Sequence, residues 1–520
     1  MKSSLSFFIL IICLSFVLNL SSFADSPWSP SIKVSGSYIA NFEPCIAVYY
    51  PNIYISYMAS YQRFRKSTDG GLTWLPETYL PGYPTADGVM QTDELGNIHL
   101  VTVNNTWYRR IVYYRSTAQG SSWVPSIVVS QSNENADKPW IENTGNRVFI
   151  CYMSFVGQET RVKVVKSSDG GLSFTQGSIV NDGNRATYRM FPIIREDPKD
   201  SNIIYVSMFW DRRNFGTGYV PPWQVFVGKS SDGGNTWLPN VALPDTGRTT
   251  LYPGDVPYSI TSAMAVSPVY NDVYVVWGDS LPLTGGKPNI FFSRSTNGAV
   301  SFEPRVKVPA GPVPDTSYHW QPHIECDIYG TIHLQWYDTR GFAASHTGGR
   351  KSTYYTYSTN RGVTWSTEEK VSDSSEVFGN YYGTGHYHLF TTDSLRIYAV
   401  WSQLRPQYGS DVYYSWRYLP NIIGIQQNGN NIPKSFSLHQ NYPNPFNPTT
   451  IIAFEISDRA NIQLTIYDAA GKEIKVLVNG IKSAGKYEIE WDASEYPSGI
   501  YFYKLESNSL SETKKMALIK

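Results

Sequence analysis

Lys66-Ser-Thr-Asp-Gly-Gly-Leu-Thr-Trp74 is the stretch on which the fold turns, because the chain repeats it. Close copies are Lys166-Ser-Ser-Asp-Gly-Gly-Leu-Ser-Phe174 and Lys229-Ser-Ser-Asp-Gly-Gly-Asn-Thr-Trp237. Weaker copies are Arg115-Ser-Thr-Ala-Gln-Gly-Ser-Ser-Trp123, Arg294-Ser-Thr-Asn-Gly-Ala-Val-Ser-Phe302 and Tyr357-Ser-Thr-Asn-Arg-Gly-Val-Thr-Trp365. The acid or amide at Asp69, Asp169, Asp232, Asn297 and Asn360 can accept hydrogen bonds from the amides of its own turn. Gly70, Gly170 and Gly233 supply the positive φ that such a turn needs. The closing Trp or Phe is expected to open a fourth strand and pack between neighbouring sheets.

Working outward, alternating segments precede the turns: Asn52 to Tyr57, Arg147 to Tyr152, Asn202 to Met208, Asp272 to Trp277 and Thr331 to Trp336. A further strand then runs into each turn. Four antiparallel strands per period of about 50 to 64 residues is the signature of a β-propeller blade. Six turns mark six blades. A seventh segment, with strands near Tyr387 to Thr391, Arg396 to Trp401 and Asp411 to Trp416, lacks the turn. Pro30 to Ser35 is placed to supply its missing strand. Seven blades is the preferred count and six the alternative.

These turns are Asp boxes, and residues 27 to 420 resemble the sialidase-like (BNR, Asp-box) propeller superfamily. The resemblance implies a structural role for the boxes and says little about activity.

Composition agrees with an all-β protein: aromatic residues make up 15%, with 39 Tyr and 15 Trp. The 43 basic and 43 acidic residues cancel, which gives no electrostatic case for a nucleic-acid partner. Residues 1–24 read as a signal peptide: Lys2, an apolar Phe7 to Leu20 run, then Ser22-Phe23-Ala24. Ile12 before Cys13 does not suit a lipoprotein signal, and no later segment reads as a transmembrane anchor. Cys45, Cys151 and Cys326 are too scattered for a disulfide framework or a metal site. No cofactor and no metal are expected, and no loop has the EF-hand pattern.

Residues 421–435 are polar and read as a linker. Residues 436–520 then show several alternating strands, which suits a small Ig-like β-sandwich. Asn441-Tyr-Pro-Asn-Pro-Phe-Asn-Pro448, at its start, closely resembles the type A C-terminal sorting domain of the type IX (Por) secretion system. That resemblance implies two-step export with the type IX machinery as partner and later removal of the domain. It also implies release or display at the outer surface of a Bacteroidetes–Chlorobi kind of bacterium.

Strand parity sets where chemistry can sit. If the strands of a blade are A to D, the A–B and C–D turns share one face, and the B–C loops and D–A connections share the other. The Asp boxes occupy C–D turns, so a site is expected on the opposite rim. There, Asp211 with Arg213 and Asp338 with Arg340 end equivalent B strands, and Arg405 follows a partial copy. A structural ion pair is the preferred reading of these pairs. Carboxylate recognition is the alternative, since a guanidinium fits a carboxylate bidentately. The D–A side offers Asp137, Trp140, Arg189, Trp320, His323 and His386: aromatic faces and polar groups of the kind sugars need, or plain blade packing. His386 and His388 point the same way on a strand, but no ligand cluster accompanies them.

The resemblance implies, for a hydrolytic sialidase, three arginines on the substrate carboxylate, a Tyr–Glu nucleophile and an Asp acid/base. It also implies an Arg-Ile-Pro motif in the first blade. Here Ser31 to Lys66 holds no such motif and no Asp. Arg189, Arg213, Arg340 and Arg405 are left to form a triad in another arrangement. Three readings follow. The preferred one is a non-catalytic propeller that binds a glycan or another surface ligand. The second is a divergent sialidase or other glycoside hydrolase, with Asp87, Asp137, Asp211, Asp255 and Asp338 as carboxylates. The third is a structural or adhesion protein of the cell surface. No catalytic residue is assigned.

Overall fold

A computed structural model describes residues 27–36, 42–59, 61–82, 84–104, 107–156, 159–180, 188–211, 224–244, 262–279, 289–308, 317–340, 349–373, 376–378, 389–394, 396–404, 410–420, 426–427, 436–457, 460–482, 485–507 and 510–520. The signal peptide lies outside the described residues. Five four-stranded antiparallel sheets follow one another, each in A-B-C-D order. Their inner A strands are Phe42–Tyr49, Thr85–Thr92, Asn135–Thr144, Tyr188–Asp197 and Ser262–Val266. A sixth set begins at His319–Cys326 and a seventh at Phe390–Thr392; Glu376–Phe378 bridges these two into one larger sheet. Each inner strand packs against the next, and Phe390–Thr392 and Arg396–Leu404 pack against Phe42–Tyr49, bringing the chain round on itself as a β-propeller. Ile32–Lys33 pairs with Tyr413 and Tyr414, so the N-terminal stretch does complete the last set of strands.

The Asp boxes lie between third and fourth strands. Asp69 Oδ1 accepts from Thr73 N at 2.9 Å, and Ser67 Oγ donates to Asp69 at 2.7 Å while accepting from Gly71 N at 2.8 Å. Asn297 and Asn360 make the same turn bond, at 3.0 and 2.9 Å. Thr236 and Ser230 hydroxyl bonds hold the Asp232 carboxyl down at about 2. Gly70 has φ 75° and Gly71 φ 91°, and a Cβ on Gly71 would stand 2.6 Å from the Tyr414 ring. The box aromatic packs on the previous sheet: Trp74 on Tyr414, Trp123 on Phe64, Phe174 on Tyr113 and Trp365 on Phe292, with centroids 4.9 to 5.3 Å apart. It does not open the fourth strand. Thr78–Tyr79 and its equivalents are two residues long and start beyond it, because the ring is committed to the neighbouring sheet.

A second repeat occupies the A–B turns of the same face. Asp93 Oδ1 accepts from Leu95 N and Asn97 N at 2.9 and 2.8 Å, and Asp93 Oδ2 meets His99 Nε2, whose Nδ1 meets Tyr113 at 2.6 Å. Asp327, His333 and Tyr355 repeat it. Burial lowers the His99 value, against the raising pull of Asp93. Cys45 and Cys151 are buried and Cys326 partly so; burial pushes the Cys45 thiol up to about 12.

The C-terminal domain is a sandwich of two four-stranded sheets, one holding Thr449–Ile456 and Gly485–Asp492, the other Ala460–Tyr467 and Gly499–Ser507. Phe454, Leu464, Trp491 and Tyr503 fill it. Gln426–Gln427, expected as linker, instead pairs with Tyr487 and Glu488 as an edge strand. In the Asn-Tyr-Pro run, Asn441 and Phe446 are buried while Tyr442 is exposed.

Candidate functional site

Five of the inner strands share a device at the end that meets the D–A connections. Register shifts at Phe42/Cys45, Ala86/Val89, Asp137/Trp140, Met190/Ile193 and Trp320/His323 each mark a bulge. One residue in each bulge is left-handed: Glu43 (φ 49°), Asp87 (52°), Lys138 (50°), Phe191 (53°) and Gln321 (50°). Such a conformation costs about 1 kcal/mol or more for a residue with a Cβ. Pro or Gly follows each of them: Pro44, Gly88, Pro139, Pro192 and Pro322.

The first three bulges bring charges together at the mouth of the ring. Lys138 Nζ lies 2.7 Å from Asp87 Oδ1 and 3.9 Å from Asp137 Oδ1. Arg109 Nη1 donates to Asp137 Oδ2 at 2.6 Å. Burial alone would lower the Lys138 ammonium, but the Asp87, Asp137 and Glu43 carboxylates outweigh it and hold the value up. Asp137 is held above the usual carboxylate range by burial, with the Asp87 charge adding to it against Lys138 and Arg109.

Deeper, side chains meet across the axis. Trp140 and His323 have ring centroids 5.9 Å apart, His323 meets Phe390 edge-on at 5.1 Å, and the Arg195 guanidinium lies 5.6 Å from the Trp140 ring. These four belong to four different inner strands, and all are buried. Trp140 and His323, weighed as ligand groups or as blade packing, are both buried in the interior. Towards the Asp-box face, Arg195 Nη2 binds Glu325 Oε1 at 2.9 Å and Arg195 Nη1 lies 3.5 Å from Glu142. His323 Nε2 adds 3.1 Å to Glu325, and Gln91 Nε2 donates to Glu142 at 3.0 Å. Burial pushes both carboxylates up. The nearer guanidinium and the imidazole bring Glu325 below its usual range, whereas Glu142 stays above it.

Asp338 is fully buried. It accepts from Arg340 Nε at 2.7 Å, from Trp336 Nε1 at 3.1 Å and meets His319 Nε2 at 3.1 Å. Arg340 also pairs with Glu368 and lies 4.1 Å from the Tyr354 ring centroid. Burial raises the Asp338 carboxyl, but His319 and Arg340 bring it down to about 2. Its oxygens are used within the sheet. Trp320 is half-buried beside Tyr337, at 5.8 Å. In strand register Arg189 faces Trp210 and Asp211 faces Tyr188, but their side chains lie outside the described residues. Arg213, Asp255, His386, His388 and Arg405 lie outside them entirely.

The structure therefore brings Asp87 and Asp137 together and separates Asp338 from them by role. Sequence reasoning missed Glu43, Lys138, Arg109, Arg195, Glu142 and Glu325. A signal was present for the first two: the recurring residue-Pro or residue-Gly step early in five of the inner strands. It also missed Trp107, the one exposed tryptophan among the described residues.

No curated protein matches the chain. Solved structures overlap it at low identity. A protein of unknown function from Dyadobacter fermentans is 11% identical with TM-score 0.45, covering 75% of this chain and 99% of that one. An α-L-arabinofuranosidase of Fusarium graminearum, solved with arabinobiose, is 11% identical with TM-score 0.41, covering 60% and 93%. A Hadza microbial sialidase is 12% identical with TM-score 0.41, covering 70% and 75%. Overlaps this loose assign no activity here. The family model for the secretion system C-terminal sorting domain matches residues 440–520. Among the described residues no helix is long and apolar enough to cross a membrane. The chain thus ends in a secretion system C-terminal sorting domain, and the protein is exported by the type IX route to the cell surface or extracellular space of a Bacteroidetes-type bacterium.

Proposed function

We propose that this is an exported seven-bladed propeller that binds a glycan at the rim opposite its Asp boxes without hydrolysing it. The observation that carries the reading is the filled axis. Trp140, His323, Phe390 and Arg195 meet across the axis just below the mouth, so among the described residues a sugar chain has a surface to lie on there and no deep pocket to enter. The mouth carboxylates that would act on a glycosidic bond are already paired with Lys138 and Arg109. The test is a glycan array together with a hydrolysis screen on the mature chain. Glycan retention with no reducing ends or sialic acid released is the expected result. Release of sialic acid from a simple sialoside would overturn it.

One observation favours a second reading, a glycoside hydrolase built on Asp87 and Asp137. Asp137 is held above the usual carboxylate range, as a general acid requires, and a second carboxylate stands across the same ammonium. On that reading Asp137→Asn abolishes product release while leaving binding in place.

A further inference from the structure

We infer that Trp107, with Tyr108 beside it, is the stacking platform of the glycan subsite. This rests on the binding reading above and names the place where a pyranose ring lies.

Trp107 is 100% exposed and Tyr108 70% exposed. Burying one such ring removes roughly 150–250 Å² from water, and every other described tryptophan takes at least part of that gain. Trp107 therefore does nothing for the stability of the sheet. Its position explains why it stands out. It sits between the second strand of sheet two, Ile98–Asn104, and the third, Arg110–Ser116. That B–C connection lies on the face opposite the Asp boxes, on the same rim as the charged mouth.

The base of the loop is fixed. Arg110 N donates to Asn104 Oδ1 at 2.7 Å, which ties the two strand ends together. Arg109 N donates to Asn135 Oδ1 at 2.7 Å, and its guanidinium holds Asp137 at 2.6 Å. Arg110 donates to the backbone carbonyls of Gln131, Ser132 and Glu134. Arg109 and Arg110 are thus bolted to sheet three and the connection before it, and the Arg110 guanidinium stands 5.9 Å from the Tyr108 ring centroid. A ring presented on a pinned base loses little freedom on binding.

The neighbours suit a sugar. A flat apolar ring packs on the C–H face of a pyranose, and the hydroxyls at its edge need donors and acceptors close by. The half-exposed Arg109 side chain, two residues from the platform, supplies donors. The ligand class is a glycan chain with a pyranose unit seated on Trp107 and its hydroxyls turned towards Arg109.

The experiment compares the mature chain with Trp107→Ala and Trp107→Phe on a printed glycan array, then titrates the best soluble hit calorimetrically. Trp107→Ala should weaken binding at least about tenfold with an unchanged thermal midpoint, and Trp107→Phe should recover part of it. Equal affinity in wild type and Trp107→Ala sinks this inference and leaves the binding reading standing. Absence of glycan binding by the wild type sinks both. Binding of the wild type to phospholipid vesicles in place of glycans, lost in Trp107→Ala, overturns the glycan assignment in favour of a membrane contact.

Discussion

The two faces of the propeller are built on opposite plans. On the Asp-box face the same bonds recur in sheet after sheet, each closed within a few residues: Ser67 to Asp69, Ser167 to Asp169, Ser230 to Asp232, Ser295 to Asn297, Ser358 to Asn360. At the mouth the backbone device recurs, but the side chains it presents do not: Glu43, Asp87, Lys138, Phe191 and Gln321. Where side chains repeat, the demand is the same in every blade and is structural. Where the backbone repeats and the side chains differ, a strained position is being used to aim something particular. The candidate site lies at that second kind of position.

The largest effect that can break this contrast is at Lys138. Lys138→Met removes the cation that Asp87, Asp137 and Glu43 share and leaves buried carboxylates uncompensated. Unfolding of the mature chain in urea should show a loss of about 3–5 kcal/mol. A loss below about 1 kcal/mol would mean that the mouth is solvated and its charges independent.

Glu196 sharpens the contrast from the other face. Burial, with the Glu142 charge adding and Arg147 opposing, raises its carboxyl from 4.5 to about 7. A carboxyl with a folded value above its unfolded one binds its proton more tightly in the folded chain. Its contribution is therefore present below pH about 4.5 and is lost as pH rises through about 7. Glu196→Gln should flatten the stability profile across that window, by about 1–2 kcal/mol once solvent screening is allowed for. Thermal midpoints at half-unit pH steps read this directly, and an unchanged slope would assign the pH dependence to other groups.

The smallest effect is in an Asp box, in the change of Asp69 to Asn. Asp69→Ala forfeits the bonds from Thr73 and Ser67 and should cost about 1–2 kcal/mol, while Asp69→Asn should be near neutral because Asn297 and Asn360 hold the same turn. A large loss in Asp69→Asn would show that the charge, and not the acceptor, closes the box.

Legibility in the sequence followed the distance over which each interaction closes. The turn around Asp69 was readable because the partners of its carboxylate lie within the same nine residues. Its aromatic was placed correctly between sheets and wrongly at the head of a strand, since only the neighbour's Tyr414 shows how far the ring must reach. The pairing of Asp338 with Arg340 was readable at two residues apart, but not the His319 and Trp336 bonds that bury it. Trp140 and His323 stood open between ligand groups and blade packing, and only the closed ring shows that both are buried.

By itself the sequence determined an all-β repeat, the turns that punctuate it and the C-terminal address, because each is written in short-range patterns of turn residues and alternation. The tertiary structure alone decided what fills the axis and what gathers at the mouth. Lys138 reaches Asp87 across 51 residues, and Arg195 reaches Glu325 across 130. Such pairs are set by which blades the closed ring brings face to face, and no local pattern in the chain carries that information.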